Sequence, residues 1–395
     1  MRPLRSGFAL VCFALLCALC EQSFAADAVA SLNLTSPSDY QVFQRATRLK
    51  GIVVVSGSVA SGAKGDVPVE VLEARLLGKP LEGELAGVWQ RLPFDPRVAA
   101  FRAELPAPAG GWYRFEIRAR RSGTNVAEMA VERVGVGEVF VVAGQSNSAN
   151  HGEKRQESKT GMAGAFNGVR WQMANDPQPG ASGNGGSFMP AFADTMHGRF
   201  KVPIGIVATG IGATSVREWL PRGVRFPNPP TLTGRVVTVG QGEWESNGSI
   251  FSGFTSRIKE LGPRGFRAVL WHQGESDANQ RDADRTLTGE LYRRYMEQLI
   301  RGARREAGWD CPWFVALASY HSPDDTGSPD IRSAQRALWK SGLALEGFDS
   351  DALAGDHRDG GGRGVHFSEK GLKAHGKAWE ERVGTWLERV LASGQ

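Results

Sequence analysis

Val139-Phe140-Val141-Val142-Ala143 is a run of five consecutive apolar residues without alternation, closed by Gly144 and followed by Gln145-Ser146-Asn147. A strand with one face in water alternates polar and apolar side chains. A run without alternation is buried on both faces, as in a parallel sheet with helices above and below it. Gly144 breaks the strand, so the next residues present a hydroxyl at its carboxyl end. In open α/β sheets that end is where ligands and chemistry collect. Ser146 is therefore the candidate nucleophile, and the remaining sequence has to supply what a nucleophilic serine needs.

The flanking patterns divide the chain. From about Ala30 to Arg133, short β-like runs alternate with turn residues: Leu49 to Val55, Val69 to Leu77, Val98 to Leu105, Trp112 to Ala119 and Val126 to Val131. Glycine and proline punctuate them at Gly62 to Gly65 and Pro106 to Gly111, and no helical period is present, which predicts a small antiparallel β-sandwich. Trp89 reads as an edge aromatic of that sandwich, with stacking on a sugar ring as the alternative. After Gly137 strands and helical segments alternate, the pattern of an α/β sheet with crossovers. The expected strands there are Glu138 to Ala143, Pro203 to Thr209, Ala268 to Trp271 and Trp313 to Ser319. The expected helices are Met189 to Arg199, Phe251 to Leu261, Arg285 to Ala307, Arg332 to Ser341 and Ser368 to Ala392. Segments rich in glycine and proline, Asp176 to Gly186 and Pro221 to Gly248, are long enough to wall a cleft. At 395 residues two domains are expected, a sandwich over 26–134 and an α/β domain over 135–395.

The first 25 residues carry Arg2 and Arg5, an apolar run from Phe8 to Cys20, and Ser23-Phe24-Ala25 as a small-x-small site. This predicts an export signal cut after Ala25 and a periplasmic or extracellular protein. Cys20 would suit a lipid anchor, but Leu19 before it is larger than such a site usually takes. Cys12, Cys17 and Cys20 leave with the signal, so Cys311 alone remains and no internal disulfide forms. The net charge of +5 is spread without a basic block, which argues against nucleic-acid binding. No later apolar run reaches the ~20 residues of a membrane span.

A serine hydroxyl needs a base to take its proton, and acyl transfer needs donors where the oxyanion forms. Four stretches can supply them: Gly144-Gln145-Ser146-Asn147, Gly210-Ile211-Gly212-Ala213-Thr214-Ser215, Trp271-His272-Gln273-Gly274-Glu275-Ser276 and Gly364-Val365-His366-Phe367-Ser368. All four fall at strand ends or at a helix start. Asn147, His151, His272, His321 and Asp324 are further candidates for the cleft. The seven histidines lack a clustered ligand spacing and there is no Cys pair, so no metal or other cofactor is expected. Gly183-Asn184-Gly185-Gly186 lacks the lysine of a phosphate-binding loop.

Together these blocks resemble the SGNH hydrolase superfamily. The variants Gly-Gln-Ser-Asn and Trp-x-Gln-Gly-Glu-Ser are similar to the sialate O-acetylesterase-like carbohydrate esterases. Ser36 to Arg45 resembles the opening strand of the β-domain those proteins carry. The resemblance implies a three-layer α/β/α (flavodoxin-like) parallel sheet, preceded by an immunoglobulin-like or jelly-roll-like sandwich. It implies Ser146 as nucleophile and His366 as general base. The Ser146 N–H, the Gly212 N–H and the Gln273 amide would form the oxyanion hole, with Glu275 and Asn147 in support. The superfamily's orienting aspartate stands three positions before the histidine, where this chain has Arg363. Asp359 is the favoured substitute; Asp356, Glu275 or a backbone carbonyl are the alternatives. The expected function is a secreted serine esterase that removes acyl groups, chiefly O-acetyl, from an acetylated carbohydrate. The alternatives are a non-catalytic carbohydrate-binding or cell-envelope protein, or an esterase of other esters.

Overall fold

The computed structural model describes residues 30–60 and 68–393. The expected export signal with its three cysteines and the Gly62 to Gly65 turn lie outside the described residues. The first strands are β1 (Ser31–Ser36), β2 (Gln41–Gln44), β3 (Lys50–Ala60), β4 (Val71–Leu77), β5 (Gln90–Leu92), β6 (Ala100–Pro108), β7 (Gly110–Arg121) and β8 (Thr124–Gly144). There follow β9 (Ala163–Phe166), β10 (Trp171–Met173), β11 (Ile204–Ala208), β12 (Arg225–Phe226), β13 (Val236–Gly240), β14 (Glu243–Ser246), β15 (Ala268–His272), β16 (Trp313–Leu317) and β17 (Leu345–Asp349). The helices are α1 (Met189–Phe200), α2 (Ser249–Glu260), α3 (Gly289–Ala307), α4 (Pro329–Lys340), α5 (Asp359–Gly362) and α6 (Glu369–Ser393).

In the first part, period-2 patterns decide which side chains meet. In β6, Phe101, Ala103, Leu105 and Ala107 are buried while Arg102 and Glu104 face water. They share one core with Val53 and Val55 of β3, Leu72, Ala74 and Leu76 of β4, and Phe115, Ile117 and Ala119 of β7. That core lies between the antiparallel β1-β3-β6 sheet and the layer made by β5, β4, β7 and β8, with β2 parallel to β8. Trp89 lies over the guanidinium groups of Arg75 and Arg118, 4.5 and 4.1 Å from its ring centroid.

The expected break between Val131 and Glu138 is absent, because β8 runs unbroken for 21 residues through the expected boundary at 134/135. Gly135 and Gly137 look like turn residues, yet here they let another segment approach. A Cβ on Gly137 would lie 1.9 Å from the Pro203 carbonyl oxygen, and one on Gly135 would lie 2.9 Å from Pro203 Cβ. From Val134 onward β8 is fully buried.

The second sheet has the order β10-β9-β11-β8-β15-β16-β17, parallel from β9 to β17 with β10 antiparallel at the edge. Val139, Val141 and Ala143 point into a core with side chains of α2, α3 and α4, while Phe140 and Val142 point into a second core with α1 and α6. That two-sided burial accounts for the non-alternating apolar run. The helices begin at their caps, not at the first apolar residue. Thr288 accepts from the Leu291 N–H at the start of α3, and Ser328 accepts from the Ile331 N–H at the start of α4. The 221–248 segment, expected as loop, contains the small antiparallel sheet β12-β14-β13.

Where the two parts meet, Glu138 is fully buried. Its carboxylate accepts from Arg45 Nε at 2.6 Å, Arg267 Nε at 2.7 Å and Gln44 Nε2 at 2.8 Å. A buried charge network of this kind is costly to leave half-made. Glu138→Leu strands two guanidinium groups and is expected to cost about 3–5 kcal/mol, seen as a lower midpoint in urea unfolding.

Candidate active site

β8 ends where β15 presents the His272 carbonyl. Gly144 has φ +126°, and a Cβ there would lie 2.1 Å from that oxygen, so only glycine fits. The Gln145 N–H then donates to the same oxygen at 3.0 Å, and the chain enters a short 3₁₀ turn over Ser146–Ser148. Ser148 Oγ donates back to the Gln145 carbonyl at 2.7 Å. As the first residue of that turn, Ser146 has a backbone N–H with no acceptor among the described residues. Ser146 opens onto a cleft of about 500 Å³ whose walls include His366, His151, Ser182, Gly212, Arg235, Glu275, Ser276, Gln280 and His321.

His366 stands in the turn between α5 and α6. Asp359 Oδ2 lies 3.6 Å from His366 Nδ1, an ion-pair separation slightly longer than a hydrogen bond. The Asp359 N–H donates to the His366 carbonyl at 3.0 Å, closing the turn between them. The Asp359 carboxyl passes over Gly364, where a Cβ would fall 1.7 Å from Oδ1. Arg363 is exposed. Of the other groups considered for orienting His366, Asp356 pairs with Lys370, and Glu275 Oε1 accepts from Asn147 Nδ2 at 2.9 Å.

Two donors pin the histidine turn through the Val365 carbonyl: Arg358 Nη1 at 2.8 Å and Asn147 Nδ2 at 3.2 Å. Asn147 thereby ties the serine turn to the histidine turn. Arg358 is buried, donates also to the Ser350 and Leu353 carbonyls, and sits over the rings of Tyr320 and Phe367 at 4.1 and 4.3 Å. Burial pulls its pKa down, while Glu275 and Asp351 oppose that shift.

The donor groups are arranged differently from the expectation. The Gly212 N–H donates to Ser182 Oγ at 2.7 Å, and the same hydroxyl lies 3.1 Å from His151 Nε2. His151 faces His366 with ring centroids 5.6 Å apart. Its pKa is lowered, first by burial and then by His366. Gln273 is not brought to the cleft wall. It is fully buried, and its Nε2 donates to Asp277 Oδ2 at 2.7 Å and to the Thr214 carbonyl at 3.2 Å. The reason is the buried Asp277 carboxylate, which gathers donors from Ser215, Val216, Arg217 and Gln273.

Of the further cleft candidates, His151 and His321 line it, and His321 Nε2 contacts the Glu275 carbonyl at 2.7 Å. Asn147 lies beneath it, His272 is sealed behind it, and Asp324 is exposed outside it. Sequence reasoning missed Ser182, Arg235, Asp277 and Arg358. The first two lie in the segments expected to wall the cleft. Asp277 falls within the Gln273-to-Asp277 turn, and Arg358 directly precedes Asp359. Arg235 reaches Glu218 Oε1 at 3.2 Å, and burial pushes the Glu218 carboxyl up to about 7. Among the described residues, no group of His, Cys, Asp and Glu could hold a metal ion, and no helix is long and apolar enough to cross a membrane.

A serine and a histidine share a cleft beyond the carboxyl ends of a parallel sheet with helices on both faces, the architecture of an SGNH-type α/β hydrolase. A family model described as carbohydrate esterase, sialic acid-specific acetylesterase, matches residues 136–383. The chain belongs to that family and is a carboxylic ester hydrolase, so the resemblance seen in the four sequence blocks is borne out. The crystal structure of XAC1771, a carbohydrate acetylesterase from Xanthomonas citri, is similar to it at 18% identity and TM-score 0.53, over 90% of this chain and 75% of that one. That likeness shows the fold, with its N-terminal sheet domain. Weaker likenesses extend to a protein from Arabidopsis thaliana (19% identity, TM-score 0.43, 62% of this chain and 96% of that one) and to NanS (14% identity, TM-score 0.43, 64% and 98%). No sequence among curated proteins matches the chain.

The Gly364 contact has a measurable consequence. Gly364→Ala must push the Asp359 carboxyl away from His366, and a displacement of about 1 Å in such a group costs on the order of 10² in rate. The expected result is a lower kcat with folding retained; unchanged turnover would show that Asp359 does not position His366.

Proposed function

We propose that the protein is an exported serine esterase that removes O-acetyl groups from a carbohydrate through an acyl-enzyme. The observation that carries this reading is the common cleft of Ser146 and His366, with Asp359 3.6 Å behind the imidazole. Ser146 Oγ attacks the ester carbonyl carbon while His366 takes the hydroxyl proton. The carbonyl oxygen becomes an oxyanion facing the Ser146 N–H. The Gly212 N–H joins when Ser182 Oγ gives way, and Gln273 supports this wall from behind through Thr214 and Gln145. The tetrahedral species then collapses, the carbon–oxygen bond to the sugar breaks, and His366 returns the proton to the sugar oxygen. Water attacks the acyl-enzyme by the same route and releases acetate.

A sugar substrate agrees with the cleft wall, where Arg235, Gln280, Ser276 and His321 offer polar groups to hydroxyls. Export rests on the pattern of the first 25 residues, with its basic start, apolar centre and small-x-small site. Asp359 fixes the imidazole tautomer and stabilises its charge as the proton moves.

The test uses the protein starting after Ala25, assayed on p-nitrophenyl acetate and on a panel of acetylated polysaccharides for acetate release. The wild type is expected to turn over both, and Ser146→Ala to lower kcat by at least about 10³-fold. Undiminished turnover in Ser146→Ala would overturn the mechanism. The panel identifies the sugar.

A further inference from the structure

Gln145 stands directly before the serine, is only 3% exposed, and still forms part of the cleft wall. Its carboxamide has two chemically opposite edges, the acceptor Oε1 and the donor Nε2. The Oε1 edge faces two donors, the Ser276 backbone N–H at 3.0 Å and Gln273 Nε2 at 3.4 Å. Turning the amide over would set Nε2 against both donors, so these neighbours leave it one orientation. Nε2 is then the free edge. It has no acceptor among the described residues, and it is not among the polar atoms sealed in the protein without a partner.

The neighbouring donors give that edge a task. The Gly212 N–H is engaged by Ser182 Oγ at 2.7 Å, and the Gln273 amide by Asp277 at 2.7 Å. The Ser146 N–H has no acceptor among the described residues, and acyl transfer gains most from several donors already aimed at the developing charge. We propose that Gln145 Nε2 donates a hydrogen bond to the substrate's acyl oxygen, so that consecutive residues supply a side-chain donor and a backbone donor to the same oxyanion. The Ser276 and Gln273 donors hold the amide from behind, so little reorganisation is needed when charge develops. The amide gives a hydrogen bond and transfers no proton. The proposal rests on the reading of Ser146 as nucleophile.

The test is kcat and KM on p-nitrophenyl acetate for Gln145→Glu and Gln145→Met, with Ser146→Ala in the same assay and an unfolding midpoint for each variant. Gln145→Glu keeps an oxygen to accept from Ser276 and replaces Nε2 by a second acceptor. Gln145→Met keeps the length, removes both edges and adds no charge. Both are expected to lower kcat about 10²–10³-fold with KM changed less than kcat. If Gln145→Glu keeps kcat within about threefold, Gln145 acts only as an acceptor that braces the loop, and the proposal fails. If Gln145→Met keeps it, any loss in Gln145→Glu is an effect of charge, and the proposal fails equally. Loss of activity in Ser146→Ala combined with wild-type activity in either Gln145 variant overturns this proposal and leaves the nucleophile standing. Retained activity in Ser146→Ala overturns the underlying reading instead.

Discussion

The site depends on one close approach, that of the Gly144 backbone to the His272 carbonyl. Because residue 144 has no side chain, β8 ends against β15 and the Gln145 N–H bonds to the same oxygen. The next residue can then start a new turn with its N–H unpaired. The location of Ser146 thus follows from the pairing of two buried parallel strands. Rigid elements of this kind hold a side chain more closely than a surface loop would.

The histidine side is built by a different means. No strand delivers His366; the turn after α5, which follows three consecutive glycines, does, and such a turn is held by its partners. Arg358 from beneath and Asn147 from the serine turn converge on one carbonyl, that of Val365, next to His366. Three backbone carbonyls and two aromatic rings keep the Arg358 guanidinium in place, with no carboxylate hydrogen-bonded to it among the described residues. One backbone oxygen therefore couples the placement of the turn that carries His366 to the placement of the turn that carries Ser146.

The α/β sheet was readable because burial on both faces leaves an apolar run that no other element near Gly144 explains, and the helical pattern did the same for α1 through α4 and for α6. The short strands β9, β10 and β12 have four residues or fewer, too few to show a period. The 134/135 boundary was drawn at glycines whose role is close packing against Pro203, and a single sequence shows no difference between such glycines and turn glycines. In the candidate site, the positions of Ser146 and His366 at element ends were legible, and both line one cleft. The state of Gln273 was not, because it is decided by Asp277, a carboxylate whose burial only the fold reveals. Asp359 lay seven positions before His366, and the missing Cβ of Gly364 is what opens its path to the imidazole.

Asp277 and Glu138 show how buried carboxylates organise this molecule. Each is fully buried and ringed by donors from segments far apart in sequence: Arg45, Arg267 and Gln44 for Glu138, and Ser215, Val216, Arg217 and Gln273 for Asp277. A buried charge adds little net stability against an apolar alternative, but it penalises every arrangement in which a donor is missing. Glu138 therefore selects the register in which β8 joins the two parts. Asp277 selects the one in which the loop after β15 meets the loop after β11. With Gln273 committed to that second junction, the amide beside Ser146 in the cleft wall is that of Gln145, whose acceptor edge Gln273 itself helps to hold.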